Sequence, residues 1–525
     1  MFDCLPCVPK PCFRKWRPVD LTGEESETYH REPGCERRTP PVECTRSTGN
    51  TAGTVSRRGM HPTNPSSSER CAVSLESVEP TSSTRPVAEV VSLAREARRE
   101  RRPVSQETVD ELTSIVHRAV SRRPGLVEKW AKKAVAETGQ GNGVDKVEKI
   151  ERVVESMFRE MEDQRSVGIL GHPDDDPLEI GKPVGVVGAH TPSTNCAATP
   201  VALALTALKG GNALVVSPSP YAVETCDVIV GDLQDELERE GFPPQLVQSL
   251  TSPIRKDRTE ELLQRADAIQ VTGSPAQVEM GQTCGTPNYS VGAGNTVGII
   301  DPSAIPRRAA EHIAHSASFD NGLVCVCMSN VLVPPEVAEP FETELAAAGG
   351  YICSGSETDR LRATLFDGDS VDSESIGQPA ATIASSAGFG GDFDDERFLV
   401  APFDEVALDD PLVRENLSPV VTLYRVASDE AVETTNRITR HQGSGHSCAV
   451  YGDRDRAVEI AERVDVCRIV RNQSSIGLCI GDETSAETSL SLGCGTWGGN
   501  QTDGNITYER FTNTTTHYEG AGSPF

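Results

Sequence analysis

A cysteine at position 325 ends the run Ser318-Phe319-Asp320-Asn321-Gly322-Leu323-Val324-Cys325. It comes one loop after a segment with helical apolar spacing (304–317) and just before an apolar, strand-like stretch (328–333). A thiolate in such a loop attacks a carbonyl carbon well. The hemithioacetal formed is a good hydride donor because its oxygen carries negative charge, and loss of hydride leaves an energy-rich thioester. The competing reading is an inert packed thiol. Cys327 stands close by, but strand alternation favours Cys325. Upstream, the glycine-rich turn Val291-Gly292-Ala293-Gly294-Asn295 contains no carboxylate. Water would then be poorly activated, and a thiol is the expected acceptor of the acyl group.

A developing oxyanion needs a donor held in place. Asn195, in Thr191-Pro192-Ser193-Thr194-Asn195, falls between an expected strand and its helix, where a side-chain amide could reach the edge of a sheet. An ordinary turn asparagine is the alternative. Thr272-Gly273-Ser274 lies where another strand ends and a helix begins, so its backbone N–H groups could receive a pyrophosphate. A generic tight turn reads equally well there. Gly292, Gly294 and Gly298 approach the dinucleotide fingerprint without matching it.

These residues need a scaffold, and from Ser105 onward the text supplies one. Helices are expected over 106–120 and 144–162, and an amphipathic patch at Val87, Val90, Val91 and Ala94 reads as a first core helix. Strands follow at 184–187, 213–216 and 268–271, each leading into a helix. Thr199 is the expected N-cap of the first of these helices, with Pro200 at its first position and Gly210 past its end. The second carries Ile229, Val230, Leu233 and Leu237 on one face and stops at Gly241; Ser274-Pro275 opens the third. Alternating strands and helices imply an α/β fold with a doubly wound parallel sheet.

The chain has 525 residues, a formal charge of -28 and 16 cysteines. Residues 1–100 are nearly neutral, so the acidity lies in the rest, and lysine does not occur after Lys256. That pattern suits a solvated surface at high salt, where self-repulsion is screened. It offers no basic stripe for nucleic acid. No stretch is apolar enough to span a membrane and no secretion signal is visible, so a reducing, cytoplasmic location is expected. Residues 1–85, rich in Pro, Ser, Thr, Arg and Cys, read as a disordered or mis-started extension, with Met60 an alternative start. Cys4-Leu-Pro-Cys7 has zinc-like spacing but no matching second pair, and no metal site is expected.

From about residue 133 to 515 the chain resembles the aldehyde dehydrogenase superfamily, specifically its CoA-acylating branch. The resemblance is carried by AVAETGQGNGVDKVEKI, PVGVVGAHTPSTNCAATP, VTGSPAQVEMGQTCGTPNYSVGAGN, SFDNGLVC, ENLSPVVTLYR, HQGSGHS and LGCGTWGGN. With GQPAATIA, the later segments look closest to acylating sulfoacetaldehyde dehydrogenases. Acetaldehyde- and succinate-semialdehyde-type enzymes share much of the pattern.

The resemblance implies a doubly wound cofactor domain (86–300, with a return of 483–525) and an α/β catalytic domain (301–482). It implies Cys325 as nucleophile, Asn195 as oxyanion-hole amide, and Ser217-Pro218-Ser219-Pro220 along the adenosine ribose. Gly273 and Ser274 fall on the pyrophosphate site and Glu415 on the carboxylate that bonds the nicotinamide ribose. His446 could act on the CoA thiol or be a packed histidine; Trp497 reads as structural. NAD or NADP is the implied cofactor, CoA and a short aldehyde the substrates, and a homodimer or homotetramer the assembly. Two departures stand out: Cys196 follows Asn195 where proline is common, and Ser219 replaces a frequent histidine. The rival readings are a hydrolytic aldehyde dehydrogenase, marked by a carboxylate entering from elsewhere, and a non-catalytic descendant of the fold.

Overall fold

The computed structural model describes residues 85–100, 104–368, 370–391 and 393–520. They belong to one compact unit, Val78–Phe525. The expected N-terminal extension and its Cys4/Cys7 pair lie outside the described residues, apart from Arg85.

Four helices come first in the chain. In α1 (Val87–Arg99), Val87, Val90, Val91, Ala94 and Ala97 are buried on one face. Arg95 in this helix pairs with Asp267 at 2.8 Å. Next come α2 (Gln106–Arg122), α3 (Leu126–Thr138) and α4 (Gly143–Met161). Asn142 caps α4 by accepting from the Asp145 N–H at 2.9 Å. The buried stripe of α4 runs through Ile150, Val153, Val154 and Met157, yet it also carries Lys146 and Lys149.

A short antiparallel pair, β1 (Gly168–Ile169) and β2 (Leu178–Pro183), leads into the first main sheet. That sheet contains β3 (Val186–Thr191), β4 (Ala213–Pro218), β5 (Val247–Ser249), β6 (Ala268–Thr272) and β7 (Asn288–Val291), in the order β5-β4-β3-β6-β7. Every pair in it is parallel. Strands β3 and β4 are buried along their whole length, as near-continuous apolar runs in a doubly wound sheet should be.

The connecting helices are α5 (Ala198–Lys209), α6 (Val223–Arg239), α7 (Lys256–Arg265) and α8 (Pro275–Thr283). Ser274 caps α8 with Pro275 in its first turn, as the sequence indicates. Helix α5 begins earlier than the Thr199 cap implied. The Thr199 N–H donates to the Asn195 carbonyl at 3.0 Å, so helical bonding starts at Asn195. Pro200 follows in the first turn of α5 and, having no N–H, cannot add the next bond in that series.

The second sheet has seven parallel strands: β8 (Thr296–Ile300), β9 (Met328–Val333), β10 (Gly350–Ile352), β13 (Phe398–Phe403), β14 (Val420–Arg425), β15 (Cys448–Tyr451) and β16 (Ile469–Arg471), with the hairpin β11 (Phe366–Asp367) and β12 (Ser370–Val371) standing apart. Its order is β10-β13-β14-β9-β8-β15-β16. Helix α9 (Pro306–Ser318) joins β8 to β9. Near its end the chain returns to the first half of the molecule, and β17 (Thr512–His517) pairs antiparallel with β2. Among the described residues, no helix is long and apolar enough to cross a membrane.

Candidate active site

The loop from α9 to β9 makes a sharp reversal. Asp320, Asn321 and Gly322 take φ values of 49°, 54° and 77° in succession. A side chain at position 322 would lie 2.4 Å from the Ser418 carbonyl oxygen, so that place requires glycine. Two consecutive left-handed non-glycine residues persist only where their surroundings impose them. Here the Asp320 carboxylate is buried and gripped by the Lys146 ammonium at 3.0 Å, by Lys149 at 2.5 Å and by the Asn142 N–H at 3.0 Å.

Beyond the reversal, the Cys327 N–H donates to the Val324 carbonyl at 2.7 Å and closes a turn around Cys325. Cys327 is buried, whereas Cys325 is half-buried. Burial pushes the Cys325 thiol well above its ordinary value, and the neighbouring Cys479, Glu415, Cys494 and Cys327 push it the same way. The side chain at rest is therefore a thiol. Its alkylation by iodoacetamide should quicken by about tenfold per pH unit through pH 9 without a plateau, since only the thiolate reacts. A plateau reached at or below neutrality would contradict this environment.

The glycine-rich turn faces Cys325. A Cβ on Gly294 would lie 1.8 Å from the Cys325 carbonyl oxygen, so the two backbones meet directly. The Gly294 N–H donates to Glu415 Oε1 at 3.2 Å. Burial raises that carboxyl to about 7, partly offset by this hydrogen bond. Gln442 orients the segment by accepting from the Glu415 N–H at 2.7 Å. Asn295 donates to the Val413 and Gln442 carbonyls and accepts from Asn330, which locks the turn to the second sheet.

Asn195, at the start of α5, reaches the same loop from the first sheet. Its Nδ2 donates to the Leu323 carbonyl at 3.5 Å, and its Oδ1 accepts from Lys149 Nζ at 2.6 Å. Among the described residues, the Cys325 N–H makes no hydrogen bond. These contacts tie Asn195 to the Cys325 loop and set Gly294 against both Cys325 and Glu415. His446 stands apart in character. It is 1 % exposed and shares a hydrogen bond between Nδ1 and Ser447 Oγ at 2.8 Å. Burial, reinforced by Arg468, pulls it down to about 3, so it is neutral at physiological pH. As placed, the ring is packed, and action on CoA would require it to become accessible. Trp497 is exposed.

The other expected cofactor residues line the carboxyl edge of the first sheet. Ser217 and Pro218 end β4, and Ser217 Oγ meets Thr259 Oγ1 at 2.8 Å. Gly273 and Ser274 open α8, but the Ser274 N–H is not free: it donates to Gln277 Oε1 at 2.7 Å in a capping box. Gln277 Nε2 in turn contacts His190 Nε2 at 2.8 Å, while His190 Nδ1 contacts the Ser217 carbonyl at 2.9 Å. Burial lowers the His190 pKa, so a neutral ring donates to Ser217 and accepts from Gln277. A pyrophosphate would meet the Ser274 N–H only after displacing Gln277. At the same edge, Thr272 Oγ1, the last residue of β6, meets Ser491 Oγ at 2.9 Å. This polar edge fits a dinucleotide.

Sequence reading passed over Lys149, Asp320, His190 and Gln277. Only the lysines left a signal. Lys146 and Lys149 continue, at helical spacing, the apolar stripe Ile150, Val153, Val154, Met157. Among the described residues, no group of three or more His, Cys, Asp or Glu is placed to hold a metal.

Two parallel sheets, a loop cysteine and a buried glutamate beside the same turn match the arrangement that the resemblance to aldehyde dehydrogenases implies. The family model for the aldehyde dehydrogenase family matches residues 60–485. The acylating sulfoacetaldehyde dehydrogenase of Cupriavidus necator is 38% identical over 441 residues, covering 82% of this chain and 88% of that one. The acetylating succinate-semialdehyde dehydrogenase of Clostridium kluyveri is 30% identical, covering 81% and 94%. The crystal structure of an acetylating aldehyde dehydrogenase from Geobacillus thermoglucosidasius superposes with a TM-score of 0.80 at 30% identity, covering 83% and 97%. The chain belongs to the aldehyde dehydrogenase family, on its CoA-acylating branch.

Proposed function

We propose that this enzyme converts a short aldehyde, NAD(P)+ and CoA into an acyl-CoA and NAD(P)H, with sulfoacetaldehyde the leading substrate and acetaldehyde or succinate semialdehyde next. The observation carrying the acylating chemistry is that the turn lying against Cys325 holds no carboxylate: Val291-Gly292-Ala293-Gly294-Asn295 has none, and the Gly294–Cys325 contact leaves no space for a side chain at position 294. The substrate rests on likeness to the Cupriavidus necator enzyme.

In this reading the Cys325 thiol loses its proton to solvent and the thiolate Sγ bonds to the aldehyde carbon, whose C=O π pair moves to oxygen. Asn195 Nδ2 and the Cys325 N–H hold the oxyanion that forms. When bound, the nicotinamide supplies the hydride acceptor; Ser217, Pro218, Gly273, Ser274 and Glu415 would hold the dinucleotide. Glu415, raised to about 7, accepts a ribose hydroxyl's hydrogen bond in its ionised form. The thioester left on Cys325 is then attacked by the CoA thiol, and the same two donors serve that second oxyanion. The reading also assigns 86–300 with 483–525 to cofactor binding and 301–482 to catalysis, in a cytoplasmic homodimer or homotetramer. His446 would orient CoA once its buried ring is exposed.

Glu415 is the one specific support for a second reading, a hydrolytic enzyme, because it is a carboxylate whose charge acts on Cys325. Reduction of NAD+ or NADP+ by the purified protein, with sulfoacetaldehyde and other short aldehydes, separates the two. Sustained turnover only with CoA is expected, fastest with sulfoacetaldehyde. Equal turnover without CoA would assign the water-activating role to Glu415 and end the acylating proposal.

A further inference from the structure

The Lys146–Asp320–Lys149 cluster has more charge than its structural task requires. All three side chains are at most 2 % exposed. One carboxylate faces two ammonium groups, and buried charge is costly unless paired. Lys146 already neutralises Asp320, and burial, followed by the charge of Lys149, lowers its pKa. Asp145 lies beside the cluster, but its Oδ2 accepts from the Asp320 N–H and from Asn142 Nδ2 and not from either lysine. Lys149 therefore contributes a second cation whose pairing with Asp320 is shared. Its other partner is Asn195 Oδ1 at 2.6 Å.

That contact determines which way the amide points. A lysine ammonium has three donors and no acceptor, so only Oδ1 can face it. The Nδ2 group is then turned to the Cys325 side, where it reaches the Leu323 carbonyl. A flipped amide would present an oxygen to the developing oxyanion and repel it. The cation also withdraws electron density from the amide oxygen, which makes the opposite N–H groups stronger donors. We infer that Lys149, anchored by Asp320, is the positioning and polarising residue of the oxyanion hole, acting on the reaction through Asn195. The inference rests on the oxyanion role proposed above for Asn195.

A double-mutant cycle on the full-length enzyme tests it: Asn195→Ala, Lys149→Met and both together, with kcat and KM for aldehyde and CoA, and the rate of Cys325 alkylation in each. Asn195→Ala should lower kcat by about 100- to 1000-fold, the cost of losing one oxyanion donor. Lys149→Met should lower kcat by roughly tenfold or more, with KM and alkylation rate held within about threefold. The double variant should be no slower than Asn195→Ala alone, within about threefold. A merely structural lysine would shift alkylation and KM too, and its effect would multiply with that of Asn195→Ala. Multiplying effects, or an unaffected Lys149→Met, would overturn the inference. An unaffected Asn195→Ala would instead overturn the oxyanion reading beneath it. If Lys149→Met does not fold, Lys149→Gln, which keeps a neutral donor, is put through the same cycle with the same criteria.

Discussion

Cys325→Ala should abolish aldehyde oxidation, lowering kcat by on the order of 10⁴-fold or more, because no other described group can take over the covalent step. The contrast is Cys327→Ala. Cys327 is buried, and its thiol leans on the Phe319 carbonyl at 3.8 Å. That variant should keep kcat within a few fold, with its loss confined to stability from a small cavity. The measurement is NAD(P)H formation with CoA and the preferred aldehyde, accompanied by a thermal melt to verify folding. Equal loss in the two variants would shift the nucleophile or make the loop's packing the cause. Trapping the acyl group settles the chemistry independently. With CoA withheld, wild type should accumulate one thioester on Cys325, detectable by mass, and Cys325→Ala none.

Much of the scaffold was legible because its signals are local. The apolar run 328–333 is strand β9, and Ser274-Pro275 opens α8. Both follow from neighbouring residues: unbroken apolar text in one, a cap and a fixed φ in the other. The α5 cap was misplaced for an equally physical reason. Thr199-Pro200 looks like a cap and first position, but the chain had already turned helical through the Asn195 carbonyl, which no side-chain pattern announces. The site itself was legible only as separate parts, Cys325, Asn195 and Glu415. What sequence could not deliver is their support. Lys149 meets Asp320 across 171 positions of chain, and His190 meets Gln277 across 87. Such pairs have no spacing rule; they exist only once the helices and sheets are packed. The occupied Ser274 N–H is the same kind of fact. A helix N-terminus reads as an open anion site until a residue one turn on is seen to fill it.

Gly294→Ala should be the most damaging single-methyl change in the molecule. The added carbon would sit 1.8 Å from the Cys325 carbonyl oxygen and 2.9 Å from its carbon. These are backbone atoms on a loop that cannot swing aside, since Asp320 and the Gly322–Ser418 contact hold it from behind. The same methyl would approach Glu415 Oε1 to 3.2 Å and strain the hydrogen bond from the Gly294 N–H. Relief requires the turn and the nucleophile loop to part by an ångström or more. A displacement of that size costs about 100-fold in rate when it separates a nucleophile from its oxyanion donor. Overpacking adds about 1–3 kcal/mol of destabilisation. Gly292→Ala is the internal comparison, since the nearest atom to its added carbon is Val278 Cγ2 at 3.6 Å. It should melt near wild type and keep most of its activity. Comparable losses in the two variants would mean that the turn is intolerant as a whole. Loss confined to position 294 would show that the space between Gly294 and Cys325 is what the reaction depends on.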